Sequence, residues 1–304
     1  MSSDRGQGTA PGKIILLGEH AAVYGYPAVG LPLAEGARVS VRRGSGVVRV
    51  SGPHVTSEAR DVTVADLVRR ALGSPADELD ADVELEIPIA CGLGSSAAVA
   101  VAAIRAGAEY AGELLTNVEL VKRATDAEVV VHGSSSGLDP TLAAASTLTR
   151  FRKTSTGPEF VAVTPACELV LVVTVCGSHG GARLSIGALR TLRDRAPEAV
   201  SSALATLGSV AERGIEAIEK GELELLGQLM NLAHGTLAGL GFVSDRVESA
   251  VRAARAAGAL GAKMSGAGGA GGAIVALTTD PEAVESCFAR LGGPVWVSRV
   301  ASSS

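Results

Sequence analysis

Apolar and polar positions alternate strictly through Asp82-Val83-Glu84-Leu85-Glu86-Ile87, the period of a half-buried strand. Proline at 88 ends that strand and a Gly/Ser loop follows. Ala97 to Ala108 is then apolar on nearly every face, which predicts a fully buried helix. Thr116 and Glu119 form a T-x-x-E capping box that starts a second helix running toward His132, and Gly133-Ser-Ser-Ser-Gly137 stops it. The run from Glu168 to Val175 reads as a buried strand. Ala/Leu/Glu-rich helical patterns continue from there to about residue 257, and Gly272 to Leu277 and Val295 to Arg299 read as two more strands. Both halves therefore mix strands and helices, an α+β class, and the change in composition near residues 160–167 predicts domains at 1–165 and 166–304.

Bulk properties narrow the picture. A chain of 304 residues exceeds what one hydrophobic core usually serves, so two domains with a cleft between them are expected, and chemistry is expected in the cleft. Hydrophobic residues make up 47%, yet the longest apolar run, Ala97 to Ile104, is far short of the ~20 residues a membrane span requires. The first ten residues hold one basic side chain and no apolar stretch; they predict a frayed tail, no secretory signal and a soluble, cytoplasmic protein. Cys91, Cys167, Cys176 and Cys287 lack C-x-x-C spacing, which favours reduced thiols over zinc or disulfides. A net charge of −5 with interspersed signs gives no electrostatic support for nucleic acid or an anionic membrane as partner, so any bound anion must be gripped locally.

Three glycine-bearing segments are candidates for that grip. Gly92-Leu93-Gly94-Ser95-Ser96-Ala97 lies between a strand and a buried helix, where backbone N–H groups and the helix dipole make an anion site; Ser95 and Ser96 can donate to phosphate or ligate a hard cation. The same residues would also serve as a tight turn with a serine cap. Ser265 to Gly272 contains a formal G-x-G-x-x-G at Gly266, Gly268 and Gly271. Its glycines follow a helical stretch and open a strand, the reverse of a dinucleotide fingerprint, so it reads as a loop lining a phosphate cleft or as close helix–strand packing. Gly12-Lys13 is followed by isoleucine, which excludes a Walker A loop, but Lys13 abuts a core strand and can act strongly on neighbouring charges.

Two carboxylates stand at unusual positions. Val121, Ala124 and Glu128 share one helix face, so Glu128 continues an apolar stripe and needs a partner: magnesium brought by a nucleotide, or a lysine or arginine at a partly exposed site. Asp139, next to Pro140 beyond the Gly/Ser turn, is either turn chemistry or a catalytic base kept ionised by a cation such as Lys13.

Together the segments resemble the signature motifs of the galactokinase–homoserine kinase–mevalonate kinase–phosphomevalonate kinase superfamily, spread from Ala10 to Ala276. These are A-P-G-K-I-I-L-L-G-E-H-A-A-V-Y-G, P-I-A-C-G-L-G-S-S-A-A, E-V-V-V-H-G-S-S-S-G-L-D and K-M-S-G-A-G-G-A-G-G. The first is similar to the mevalonate kinase branch in particular; galactokinases tend to carry T-D after G-E-H, and phosphomevalonate kinases G-E-Y. The resemblance implies an N-terminal α+β domain with a left-handed βαβ unit, a ferredoxin-like C-terminal domain, and the nucleotide between them. It implies ATP and Mg2+ as cofactors and mevalonate as the alcohol phosphorylated, and it leaves a homodimer open. Lys13 would stabilise the ionised base and the substrate oxygen, with Asp139 as that base. Glu19, His20 and Tyr24 would line the mevalonate pocket. Ser96 and Glu128 would ligate magnesium, Gly92 to Ser96 would wrap the triphosphate, and Gly266 and Gly268 would line the nucleotide from the C-terminal loop.

The chain departs from the family at Ala270, where glycine is usual, at Ser135, where proline is frequent, and at Gly181-Ala182, where many mevalonate kinases carry threonine. These departures bear on the acceptor alcohol and keep a sister kinase, acting on another alcohol or on phosphomevalonate, as the alternative. A related decarboxylase and a non-catalytic binding module are disfavoured by the G-E-H-A-A-V-Y-G segment and by the intact Lys13, Ser96, Glu128 and Asp139.

Overall fold

A computed structural model describes residues 4–55, 62–132, 136–178 and 182–302. Two compact units emerge, and they interleave along the chain. Met1–Lys13, Pro32–Ile89 and Leu93–Ser146 form the first; Ile14–Leu31, Ala90–Gly92 and Thr147–Ser304 form the second. The sequential division at 165/166 differs from this because two long strands, β1 (Arg5–Leu17) and β2 (Pro27–Arg43), each run through a boundary. Packing partners, rather than chain order, assign their halves.

In the first unit β3 (Val48–Ser51) pairs in parallel with β4 (Leu79–Leu85), and α1 (Val62–Leu72) lies between them in sequence, which makes a βαβ unit. β4 also pairs antiparallel with β2, from Ala37 opposite Leu85 to Arg43 opposite Leu79. Its alternation places Leu79, Ala81, Val83 and Leu85 in the core. Next come α2 (Ser95–Ala111), α3 (Asn117–His132) and α4 (Leu138–Ala144). α2 buries every residue from Ala97 to Ile104, as its all-apolar sequence requires. The capping box at α3 forms as expected: Glu119 N–H donates to Thr116 Oγ1 at 3.2 Å and Thr116 N–H to Glu119 Oε2 at 3.0 Å.

The expected frayed opening is instead the start of β1. Gly6, Gly8 and Ala10 alternate as its buried face, and a Cβ on Gly6 or Gly8 would stand 2.1 Å from the carbonyl oxygen of Ala106 or Ala102 in α2. The strand lies directly on helix backbone, which only residues without a side chain permit. Hydropathy could not flag it, because its inward face carries almost no apolar atoms.

In the second unit the first residues of β2, Pro27 to Gly30, pair antiparallel with β5 (Thr149–Thr154), and β5 pairs with β6 (Gly157–Ala162). A separate antiparallel sheet has the order β10-β7-β9-β8, from β7 (Leu169–Val175), β8 (Gly261–Ser265), β9 (Ala273–Leu277) and β10 (Val295–Val300). Between β7 and β8 run α5 (Ala182–Arg195), α6 (Pro197–Lys220), α7 (Leu223–Gly239) and α8 (Asp245–Ala256), and α9 (Pro281–Ala289) precedes β10. This β-α-β-β-α-β sequence is the ferredoxin-like arrangement, with its first helical arm expanded. All residues of β8 and β9 are buried. Among the described residues no helix is long and apolar enough to cross a membrane, and all four cysteines are free.

Candidate active site

In the first unit Pro11-Gly12 continues β1 rather than turning, and Lys13 within that strand is buried to 1% exposure, an unusual place for an ammonium. Its Nζ lies 3.1 Å from Asp139 Oδ2, so two residues far apart in sequence form one ion pair. Asp139 sits in the first turn of α4, which opens from left-handed Gly137 (φ 82°), and its side chain stays 35% exposed. The carboxylate is therefore paired on one side and accessible on the other.

The glycine loop shapes the same neighbourhood. Lys13 N–H donates to the Leu93 carbonyl at 2.8 Å. Gly94, in the left-handed region at φ 72°, is the residue from which α2 starts, and a Cβ there would stand 2.6 Å from Lys13 Cγ. Glycine is required twice, by backbone conformation and by close approach. Two residues on, Ser96 Oγ donates to Glu128 Oε1 at 2.9 Å. Glu128 is 2% exposed, on the α3 face shared by buried Val121 and Ala124, which sets aside a partly exposed surface ion pair. Ser95 turns inward and is buried.

The second unit holds the other predicted residues. Glu19, 2% exposed, forms an ion pair with Lys263, which is fully buried and also donates to the Met264 carbonyl at 2.6 Å. Removing one partner of such a pair strands a buried charge, at about 3–5 kcal/mol. Glu19 Oε2 is buried and accepts no hydrogen bond among the described residues. His20 adopts φ 60°, rare for a residue with a Cβ; its ring stacks on Phe242 at 4.0 Å and 11°, and its Nε2 lies 3.0 Å from the Ala267 carbonyl. Burial pushes its pKa down to about 4; the Ala267 hydrogen bond opposes the shift and the Lys263 ammonium adds to it, so the ring is neutral at neutral pH and Nε2 donates. Tyr24 ends a 3-10 turn (Ala21–Tyr24), half-buried, with the Arg193 guanidinium 4.7 Å above its ring.

Ser265 to Gly272 joins β8 to β9, so its glycines follow a strand, not the helical stretch expected. The rejection of a dinucleotide fingerprint stands, because the loop opens a strand. Gly266 and Gly268 have φ 92° and 68°; Cβ atoms on them would lie 3.1 Å from the Gly92 carbonyl oxygen and 2.3 Å from that of Phe242. Ser265 Oγ accepts the Ile15 N–H at 2.9 Å. Lys263, Ser265 and Phe242 carry structural weight here that pattern reading did not assign. A lysine set between Ala262 and Met264 in the Gly261–Ser265 strand was the available signal. The departures at Ser135 and Gly181-Ala182 fall outside the described residues and side chains.

Comparison with known proteins follows the same division. Residues 60–147 match the family model of the GHMP kinases N terminal domain, and residues 215–293 match that of the GHMP kinases C terminal. The chain is 35% identical to the mevalonate kinase of Thermococcus gammatolerans over 81% of each chain, and 32% identical to that of Pyrococcus horikoshii, again over 81% of each. Its fold superposes on the crystal structure of L. major mevalonate kinase in complex with R-mevalonate with a TM-score of 0.86, at 26% identity and over 100% of both chains. The chain therefore belongs to the GHMP kinase family. Within that family it falls among the mevalonate kinases.

Proposed function

We propose that the protein transfers the γ-phosphoryl group of ATP to the primary hydroxyl of mevalonate, giving 5-phosphomevalonate and ADP. The observation that carries this reading is the Lys13–Asp139 pair, 3.1 Å apart, against the glycine from which α2 starts. As the hydroxyl oxygen bonds to the γ-phosphorus, its proton passes to Asp139, whose carboxylate is half accessible. The bond from the γ-phosphorus to the bridging oxygen breaks, and ADP leaves with the electron pair. Phosphoryl transfer asks a protein mainly for alignment and for balancing charge. Lys13 supplies a fixed cation beside the base, and the N–H groups at the start of α2 supply donors for phosphate oxygens, with Gly92, Leu93, Gly94, Ser95 and Ser96 as the wrapping loop and Gly266 and Gly268 as a second one.

Ser96 and Glu128 fit magnesium: one carboxylate and one hydroxyl 2.9 Å apart are the hard oxygen donors this ion takes, with phosphate oxygens and water filling the rest. Among the described residues no group of three or more His, Cys, Asp or Glu is placed to hold a metal unaided, which suits an ion that arrives with its nucleotide. When bound, the ion would neutralise phosphate charge. Glu19, His20 and Tyr24 would meet the alcohol, and the free lone pairs of Glu19 Oε2 suit a hydroxyl donor. The four free cysteines accord with work in the reducing cytoplasm.

A coupled ATP-turnover panel with mevalonate, phosphomevalonate, diphosphomevalonate, homoserine and galactose tests the reading. Turnover with another member and none with mevalonate would reassign the acceptor. Asp139→Asn is expected to lower kcat by roughly 10²–10⁴-fold, the range for losing a general base, with ATP binding preserved.

A further inference from the structure

β8 is an edge strand of its sheet, yet its outward backbone groups are satisfied by side chains. Ala262 N–H donates to Asn231 Oδ1 at 3.1 Å and Met264 N–H to His234 Nδ1 at 3.3 Å, so two residues three apart on α7 receive alternate N–H groups of the strand. On the carbonyl side, Arg255 Nη2 reaches Ala262 at 2.8 Å and Lys263 Nζ reaches Met264 at 2.6 Å. Met264 is thus gripped at N–H by His234 and at C=O by the ammonium that pairs with Glu19. Asn231 can accept in any protonation state of the protein; His234 can accept only while Nδ1 is bare.

The surroundings of His234 define which form is present. Its ring is 2% exposed, and Nε2 lies 2.8 Å from Glu248 Oε2, whose other oxygen is held by Arg252 Nε at 2.9 Å. With Nδ1 accepting from Met264, Nε2 must carry the proton and donate it to Glu248. We propose that His234, as this neutral Nε2–H tautomer, is a positioning residue that fixes β8 and with it the Lys263–Glu19 pair. The link to catalysis rests on the reading that Glu19 meets the acceptor alcohol. A proton on Nδ1 would set two donors face to face at Met264. Burial holds the ring below the usual histidine range, aided by Arg255 on α8 and Lys263 on β8 and opposed by Glu248, so that release belongs to acid conditions.

Three variants separate this from a packing role. His234→Asn can present an acceptor near the Nδ1 position but does not titrate, whereas His234→Gln reaches toward Glu248 and leaves Met264 N–H without its acceptor. Expected are a KM for the acceptor alcohol within about threefold of wild type for H234N and raised roughly tenfold for H234Q, with the KM for ATP unchanged in both. The acid limb of kcat/KM should be flattened in H234N. Glu248→Gln keeps an acceptor for Nε2 but removes the charge that favours imidazolium, so its acid limb should move to lower pH. Ring 1H–15N spectra, assigned by the signals lost in H234N, should show Nε2–H and a bare Nδ1 at pH 7. Equal impairment of H234N and H234Q, an unmoved acid limb in E248Q, or an Nδ1–H tautomer would each overturn the proposal. A wild-type chain inactive on mevalonate strikes the acceptor reading alone, and the spectra still decide the tautomer.

Discussion

Gly94→Ala isolates the contact on which the proposed chemistry turns. The new Cβ would stand 2.6 Å from Lys13 Cγ and 2.9 Å from Cε, and φ at this position is 72°. The left-handed backbone costs a residue with a Cβ roughly 1 kcal/mol. Ordinary carbon contact, about 3.5–4.0 Å, then requires the lysine to retreat by about 1 Å. Opening the ion pair from 3.1 Å by that amount weakens it by roughly 1.3 kcal/mol at an effective dielectric of about 20, an upper value because Asp139 is partly exposed. That is close to tenfold in rate, and misplacement of a reacting group by about 1 Å can bring the loss to 10²-fold. The expected outcome is a kcat lowered by roughly 10–100-fold and a melting temperature lowered by about 2–4 °C. Gly112→Ala provides the control: it sits at φ 68° just past the other end of α2, with nothing within 4 Å of its Cβ. It carries the same backbone strain without the clash or the opened ion pair, so it should lose less stability and keep full turnover. Coupled ATP turnover and thermal melting on both variants decide the matter, and equal kcat for the two would refute the argument.

Other expectations follow from neighbouring features. Glu128→Gln should raise the magnesium concentration for half-maximal activity by at least roughly tenfold, a shift read from activation curves at saturating ATP. His20 holds a folded pKa of about 4 against 6.5 for a free ring, so between those values the unfolded chain binds a proton that the native ring refuses. Stability is accordingly full above pH 6.5 and falls toward pH 4, by at most about 1.4 kcal/mol per pH unit from this site. Denaturant titrations of wild type and His20→Asn should show the smaller slope in the variant, and identical slopes would exclude His20. Thr116→Ala removes the cap of α3 and should cost about 1 kcal/mol, measured by urea unfolding, while kcat stays near wild type.

Much of the site was legible because its chemistry is local. The strand–loop–helix around Gly92 to Ser96 declares a helix N-terminus, and the stripe through Val121, Ala124 and Glu128 declares a buried carboxylate. That Lys13 meets Asp139, or that Ser96 meets Glu128, is a matter of tertiary packing which periodicity does not encode; the motif resemblance supplied it. Glu19 was visible as a candidate, but not its partner, since Lys263 lies 244 residues away in a strand whose apolar neighbours mask it. Gly6 and Gly8 misled in the opposite direction: a strand that packs through missing side chains has no hydrophobic signature. His234 was hidden because a buried histidine at helical spacing looks like any other core residue until the hydrogen bonds at both nitrogens are known.

The interleaving of the two units bears on how the protein can be made. The stretch Ile14–Leu31 leaves the ribosome early, yet its partner strand β5 begins only at Thr149, so β2 must wait for more than a third of the polypeptide before that edge can be paired. A gene cut near codon 165 would yield a C-terminal product deprived of that stretch and also of β5 and β6, so only a graft that restores residues 14–31 together with β5 and β6 would return this pairing to the fragment.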